Sequence, residues 1–287
     1  MKTLSLITVG RDDKFADDFI YRLHKSITSN IKFLEKNNIN FEYIVVDWFP
    51  INDQFLHKNE DMKKVLSDSR IKNIVVTNQI AEREGLNSLV FYEYFAKNVG
   101  IREAKNDYVF IVNSDIIIPQ VMWDRIIPVL NTHNTSNFFR PWERVNVEFI
   151  GKNEVNVCDT LVLKEPGLPD ECICGGYSGD FLLVDRATLI ERGKGYNEED
   201  LDHRQKNKWQ TGMDAEILWN MYNNGVTLQF LNAPYYHIKH GNAAPQVSTG
   251  VKQVDGFYKI NAHYNNKSNW GFIDYKHTKS DNITYVE

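Results

Sequence analysis

Cysteine, proline, excess positive charge and long apolar runs are all scarce in this chain. Three cysteines occur in 287 residues, at Cys158, Cys172 and Cys174. An odd count excludes a fully paired disulfide framework, and Cys-x-Cys is not the spacing of a structural zinc site. Free thiols in a reducing compartment are expected, which places the protein in the cytoplasm and leaves peripheral contact with a membrane open. No window approaches the length of apolar sequence that a membrane-spanning helix needs. The opening apolar run, Leu4 to Val9, is broken at Gly10 and Arg11. It is too short for a secretory signal and reads as a first strand. Lys and Arg total 33 against 38 Asp and Glu, for a net charge of −5. That balance disfavours a nucleic-acid partner, although a small anionic ligand needs only a local site. Repeats and low-complexity segments are missing as well. The N-x-S/T sequons at Asn134, Asn266 and Asn282 read as chance matches.

What the chain does have is a core. Hydrophobic residues make up 42% and charged residues 25%, the balance of a globular protein with one large domain or a domain plus an appendage. Leu4–Val9 is followed by a helical pattern, with Ile20, Leu23, Ile27, Ile31 and Leu34 at three- and four-residue spacing. Phe41–Trp48 reads as a second strand and Ile71–Thr77 as a third, with a short helix around Asp61–Leu66 between them. A helix over Ser88–Ala104 and a strand over Asp107–Val112 complete the alternation. Such alternation implies βαβ units and a mainly parallel sheet flanked by helices. Ligands of these sheets bind beyond the carboxyl ends of the strands.

The second half is less regular. A helix is expected from Pro119 to Leu130, and a strand pair at Phe138–Ile150 and Val155–Leu163. A short strand at Asp180–Val184, a helix at Thr211–Asn223 and a strand at Val226–Leu231 follow. The tail from Ala243 is too aromatic to be disordered throughout. The expected division is residues 1–242 as one domain, split at 118/119 into a nucleotide-binding and an acceptor-side half, with 243–287 packed on it.

The strongest local signal is YVFIVNSDIIIP, where a buried strand emerges into Asn113-Ser114-Asp115. A carboxylate at a strand mouth can bind a hard divalent cation, or it can simply cap a turn. Taken together, these segments resemble the GT-A glycosyltransferases, particularly the family 2-like group, over roughly residues 3 to 242. SLITVGRDD is similar to the opening strand and base-facing loop, with Thr8, Gly10 and Arg11 on the substrate side. YIVVDWFP places Asp47 where the family has an acid that contacts the nucleobase. AKNVGIREAKNDYVFIVNSD carries Asn98 and Gly100 and puts Asn113-x-Asp115 at the DxD position. The first acid is replaced by Asn113, so the resemblance implies Asp115 as the metal ligand.

The resemblance implies further residues. GYSGDFLLVDRATLIERGKGYNEE looks like the acceptor-side segment, with Gly176 and Asp180 beside substrate and Gly195-Tyr196-Asn197-Glu198 as the family's helix-end motif. Gly212-Met213-Asp214-Ala215-Glu216 is similar to the helix start that carries the base of inverting enzymes. It implies Asp214 as catalytic and Glu216 as substrate-facing. The competing reading is a capping box from Thr211 to Asp214, in which Asp214 only bonds backbone N–H groups. PYYHIKHGN offers His237 and His240, one of which completes the metal shell. Lying just after a strand, they are expected to point apart, with His237 ranked first. The implied function is metal-dependent transfer, with Mn²⁺ or Mg²⁺, from a UDP- or GDP-sugar to a glycan or other hydroxyl acceptor, inverting at the transferred sugar. A nucleotidyltransferase and a catalytically dead carbohydrate- or nucleotide-binding protein of the same fold are the alternatives. The polar stretch Asn197–Lys208 reads as a lid, and Tyr258, Trp270 and Tyr275 as surfaces for a sugar to stack on.

Overall fold

The computed structural model describes residues 3–12, 18–86, 91–132, 134–150, 154–162, 178–198, 213–240, 264 and 266–287. The strands are β1 (Leu4–Gly10), β2 (Phe41–Trp48), β3 (Ile71–Val76), β4 (Tyr108–Val112), β5 (Ile116–Ile117), β6 (Asn137–Ile150), β7 (Glu154–Val162), β8 (Phe181–Asp185), β9 (Thr227–Ile238), β10 (His277–Ser280) and β11 (Ile283–Val286). The helices are α1 (Phe19–Lys36), α2 (Glu60–Leu66), α3 (Asn78–Glu84), α4 (Glu93–Glu103), α5 (Gln120–Asn131), α6 (Arg186–Thr188) and α7 (Met213–Asn223). All strands belong to one sheet in the order β10-β11-β3-β2-β1-β4-β8-β6-β9-β5, with β7 paired to β6. The run β11-β3-β2-β1-β4 is parallel, and β8 then enters antiparallel to β4. This is the α/β architecture expected, a large sheet flanked by helices.

Alternation along β1 explains the two-sided core. Leu4 and Leu6 join Leu23, Ile27 and Leu34 of α1 and Trp123 of α5 on one face. Ile7 and Val9 join Phe95 and Val99 of α4 and Leu218 of α7 on the other. Successive strand residues point to opposite faces, so a parallel strand covered on both sides must be apolar at nearly every position.

Three features differ from the sequence expectation. The helix expected over Ser88–Ala104 begins at Glu93, and the short α3 precedes it, ended by Gly85 in the left-handed conformation at φ 64°. The last internal strand does not stop at Leu231 but continues to Ile238. Pro234 is tolerated because the β6–β9 register shifts between Pro141 and Glu143, opening the ladder where the two prolines lie. The end of the tail is sheet: β11 lies parallel to β3, and β10 turns back on it. Trp270 and Phe272 are buried in the core beneath it. Trp270 therefore presents no face to a sugar; its ring sits 3.8 Å from the Arg102 guanidinium. Tyr275 is half-buried with its hydroxyl on Glu84. Tyr258 and the stretch from 199 to 208 lie outside the described residues.

Candidate functional site

β4 ends at Val112, and Asn113-Ser114-Asp115 turn the chain into β5 at the carboxyl end of the parallel core. β5 pairs with β9, placing Ile116 opposite His237, and the Asp115 carbonyl accepts the Ile238 N–H at 2.9 Å. Two imidazoles meet the Asp115 carboxylate there. His237 Nε2 lies 3.4 Å and His240 Nε2 3.1 Å from Oδ2. The rings are 5.2 Å apart, so the two histidines converge instead of pointing apart. The reason is the longer strand: His237 is still on β9, and the chain turns after Ile238 to bring His240 to the same carboxylate.

One ligand atom from each of Asp115, His237 and His240 falls within 4.8 Å of the others. Asp115 is buried, and its Oδ1 has no hydrogen-bond partner among the described residues. A buried carboxylate with one oxygen facing two imidazoles and the other without a partner among the described residues could hold a divalent cation, and the mixed N/O donors suit Mn²⁺ better than Mg²⁺, which prefers all-oxygen shells. His237 Nδ1 meets Asn146 Oδ1 at 3.0 Å, while Asn146 Nδ2 donates to Asp159 at 2.5 Å. That amide orientation makes Asn146 Oδ1 the acceptor of a His237 Nδ1–H bond, which would leave Nε2 free to bind a metal once its own proton is displaced. Burial acts upward on the Asp115 carboxyl as the largest influence, yet the two imidazoles hold it well below the usual carboxylate range. Arg22 of α1 adds a guanidinium 4.0 Å from Oδ2.

Next to this cluster, Asp180 is buried and fully engaged. Its Oδ2 accepts from Arg144 and from the Tyr235 hydroxyl, each at 2.7 Å, and its Oδ1 accepts from Asn113 Nδ2 at 2.9 Å. Arg144 and Tyr235 are register partners on β6 and β9, and so are Asn146 and His237 two residues on. The same sheet face thus holds Asp180 and orients His237. Burial pushes the Asp180 carboxyl up, opposed by Arg144. Asn113 donates from its amide nitrogen to Asp180, and its Oδ1 has no partner among the described residues; Ser114 is half-buried beside it.

The Ser178–Asp180 turn also reaches Asp214. Asp214 Oδ2 accepts from the Tyr94 hydroxyl at 3.1 Å, and Oδ1 lies 3.3 Å from Lys97 Nζ. The partners are side chains of α4. Thr211 lies outside the described residues, so the capping box is not seen. Glu216, half-buried, accepts from Asn197 Nδ2 at 3.2 Å.

At the end of β1, Gly10 allows the strand to run close under α1: a Cβ there would lie 2.5 Å from the Phe19 ring. Arg11 is buried with its guanidinium 5.9 Å from the Phe91 ring. Thr8 is fully buried, and its hydroxyl has no hydrogen-bond partner among the described residues. Asp47 is also fully buried; Oδ2 accepts the Leu56 N–H at 2.8 Å and Oδ1 has no partner among the described residues. Asn98, expected beside substrate, lies on α4. It is buried and gives its whole amide to the 196–198 loop, accepting from Tyr196 N at 2.7 Å and donating to Tyr196 O at 2.8 Å and to Glu198 at 2.7 Å. These bonds hold that loop against α4. Gly176 lies outside the described residues.

Asp47 carries a stability prediction. Burial pushes its carboxyl up to about 7, against the Leu56 hydrogen bond. An unfolded Asp titrates near ~3.9, so between there and about 7 the folded state binds the proton more tightly. Stability from this group is therefore greatest at low pH and is lost as pH rises through that window. Glu198, also pushed up to about 7 by burial, has the same sign. The unfolding free energy of Asp47→Asn relative to wild type is expected to rise between pH 5 and pH 8 by roughly 3 kcal/mol, because about two units of the window lie above pH 5. Urea unfolding at the two pH values checks this, and a pH-independent difference refutes it.

Asn146, Arg144, Tyr235, Tyr94 and Lys97 were not singled out by sequence. The first three carry a period-two signal on β6 and β9 that becomes meaningful only once the pairing register is known. Lys97 follows Glu93 at i,i+4, a pattern usually assigned to an exposed pair.

The chain has the GT-A fold. Among solved structures it is similar to S. aureus TarS 1–349, with a TM-score of 0.52 and 17% identity, covering 82% of this chain and 60% of that one. It also matches, at a TM-score of 0.48 and 11% identity, the catalytic domain of Drosophila β1,4-galactosyltransferase 7 complexed with xylobiose, covering 100% of this chain and 93% of that one. A third match is the mannosyltransferase PcManGT from Pyrobaculum calidifontis with GDP-Man and Mn²⁺, at a TM-score of 0.47 and 10% identity, covering 86% and 59%. No family model and no curated protein matches the sequence. At these identities the likeness is one of fold. No described helix is long and apolar enough to cross a membrane.

Proposed function

We propose that this chain is a metal-dependent glycosyltransferase that moves a sugar from a UDP- or GDP-sugar to a hydroxyl acceptor of a glycan or related molecule, with inversion. The observation that carries the reading is the Asp115–His237–His240 cluster at the carboxyl end of the parallel strands, where ligands of such sheets bind. Mn²⁺ held there would neutralise the diphosphate leaving group. Thr8, Gly10, Arg11 and Asp47 line the nucleotide side. The orphaned Thr8 hydroxyl and Asp47 Oδ1 are the groups a base or ribose would satisfy. Asp180 fixes Asn113 and so the turn that carries Ser114 and Asp115. Asp214, across the Ser178–Asp180 turn, takes the proton of the acceptor hydroxyl as the new bond forms.

Thermal unfolding with UDP, GDP and CDP, with Mn²⁺ or with EDTA, tests the reading. One nucleotide at 100 times its Kd is expected to stabilise the protein by about 2.7 kcal/mol with metal, and to have no such effect in EDTA. Metal-independent stabilisation, or none with any nucleotide, overturns it. Slow donor hydrolysis without acceptor distinguishes a transferase from a binding protein of the same fold.

A further inference from the structure

Lys97 is a lysine with no exposed surface, in the middle of α4. A buried ammonium persists only if its donors are satisfied and its charge is paired. Lys97 has three N–H groups and meets three oxygens: Glu93 Oε1 at 2.6 Å, the Gly179 carbonyl at 3.2 Å and Asp214 Oδ1 at 3.3 Å. The rings of Tyr94 and Tyr196 lie 5.5 and 5.4 Å away. Burial works against the charge, yet Asp214 and Glu93 hold the ammonium well above the ordinary lysine range.

Charge balance alone does not explain this arrangement. Glu93, one helical turn away on the same element, is closer than Asp214 and suffices to pair the lysine. The contacts to Gly179 and Asp214 are made to two other segments, and both serve the Asp214 carboxylate. Its Oδ1 is held by Lys97 and its Oδ2 by the Tyr94 hydroxyl, which fixes the plane of the group. Gly179 completes the enclosure: a Cβ there would lie 2.5 Å from Oδ2 and 2.9 Å from Oδ1, so any side chain would displace the carboxylate. The Asp214 side chain nevertheless keeps 17% of its surface exposed. It is gripped from the α4 side and accessible from another, as a group that must receive a proton from a docked molecule has to be.

We infer that Lys97, with Tyr94 and the side-chain-free Gly179, positions the Asp214 carboxylate toward the acceptor hydroxyl. The inference rests on the proposed role of Asp214 in proton transfer. Lys97 is a positioning residue: it touches Asp214 and not the reacting atoms.

A double-mutant cycle tests it. Lys97→Met is expected to lower the transfer rate about 10²-fold, since small displacements of a reacting group cost that much. Metal-dependent nucleotide affinity and the donor KM should stay within about twofold, because the variant leaves Asp115, His237 and His240 untouched. In an Asp214→Asn background the same substitution should cost less than about twofold, since the group being positioned is gone. Equal rate losses in both backgrounds, or a folded Lys97→Met protein with a normal rate, overturn the inference while leaving the role of Asp214 intact. A fully active Asp214→Asn protein overturns both. Should Lys97→Met fail to fold, Tyr94→Phe removes the donor to Oδ2 and completes the same cycle, with the same outcomes decisive.

Discussion

Asp214→Asn is expected to leave a folded, nucleotide-binding protein whose transfer rate is lower by about 10²–10⁴-fold. The substitution is close to isosteric. The asparagine oxygen can still accept from Tyr94 or Lys97, and Lys97 keeps its 2.6 Å partner in Glu93, so no buried charge is stranded. The loss of one charge-assisted hydrogen bond should cost about 1.5–3 kcal/mol of stability. What disappears is the acceptor for a proton. A carboxylate serving only to hold α7 against α4 would show the same stability loss with a nearly normal rate, so the two roles separate in one experiment. Inversion is checked on the product: NMR should show an anomeric configuration opposite to that of the donor. Retention of configuration, or near-normal transfer by Asp214→Asn, refutes the assignment.

The parallel half of the fold was readable because it obeys local rules. β1, β2 and β4 are apolar runs closed by Gly10, Trp48 and Asn113, and α1 repeats its apolar residues on one face. Long-range decisions were not readable. Nothing local says that the last residues should return to pair with β3, since His277–Val286 is short, half polar and separated from its partner by two hundred residues of chain. Strand interiors rarely hold proline, and Pro234 is accommodated in β9 by the register shift beside Pro141.

The candidate site divides in the same way. Asp115 stood out as an acid at a strand mouth, and Asp214 as an acid at a helix start. Their neighbours depended on register and packing. Asn146 orients His237 because the two are register partners on β6 and β9. Lys97 reaches Asp214 because α4 packs beside the Ser178–Asp180 turn. The bonds of Asn98 to the 196–198 loop depend on packing in the same way, since they join α4 to residues about a hundred positions on.

Removing the carboxylate at the centre of the cluster should abolish the metal effect altogether. In Asp115→Ala, calorimetry should find nucleotide affinity identical in Mn²⁺ and in EDTA, at the weaker of the two wild-type values. His237 and His240 would remain, but without the acid a divalent cation loses the only anionic ligand of the three, and Arg22, 4.0 Å from that carboxylate, would oppose its approach. The histidines should differ in degree. His237 is fixed by β9 and by Asn146, so its imidazole is already aimed, whereas His240 lies past the end of the strand. Both alanine variants are expected to raise the Mn²⁺ requirement, His237→Ala the more. Asn146→Ala, which leaves all three ligands in place but frees the His237 ring, should weaken metal binding about 10–100-fold. That intermediate value separates a metal site from a hydrogen-bonded cluster. If Asp115 and the histidines merely brace β5 against β9, all four variants would lower the melting temperature, and nucleotide affinity would respond to Mn²⁺ as it does in the wild type.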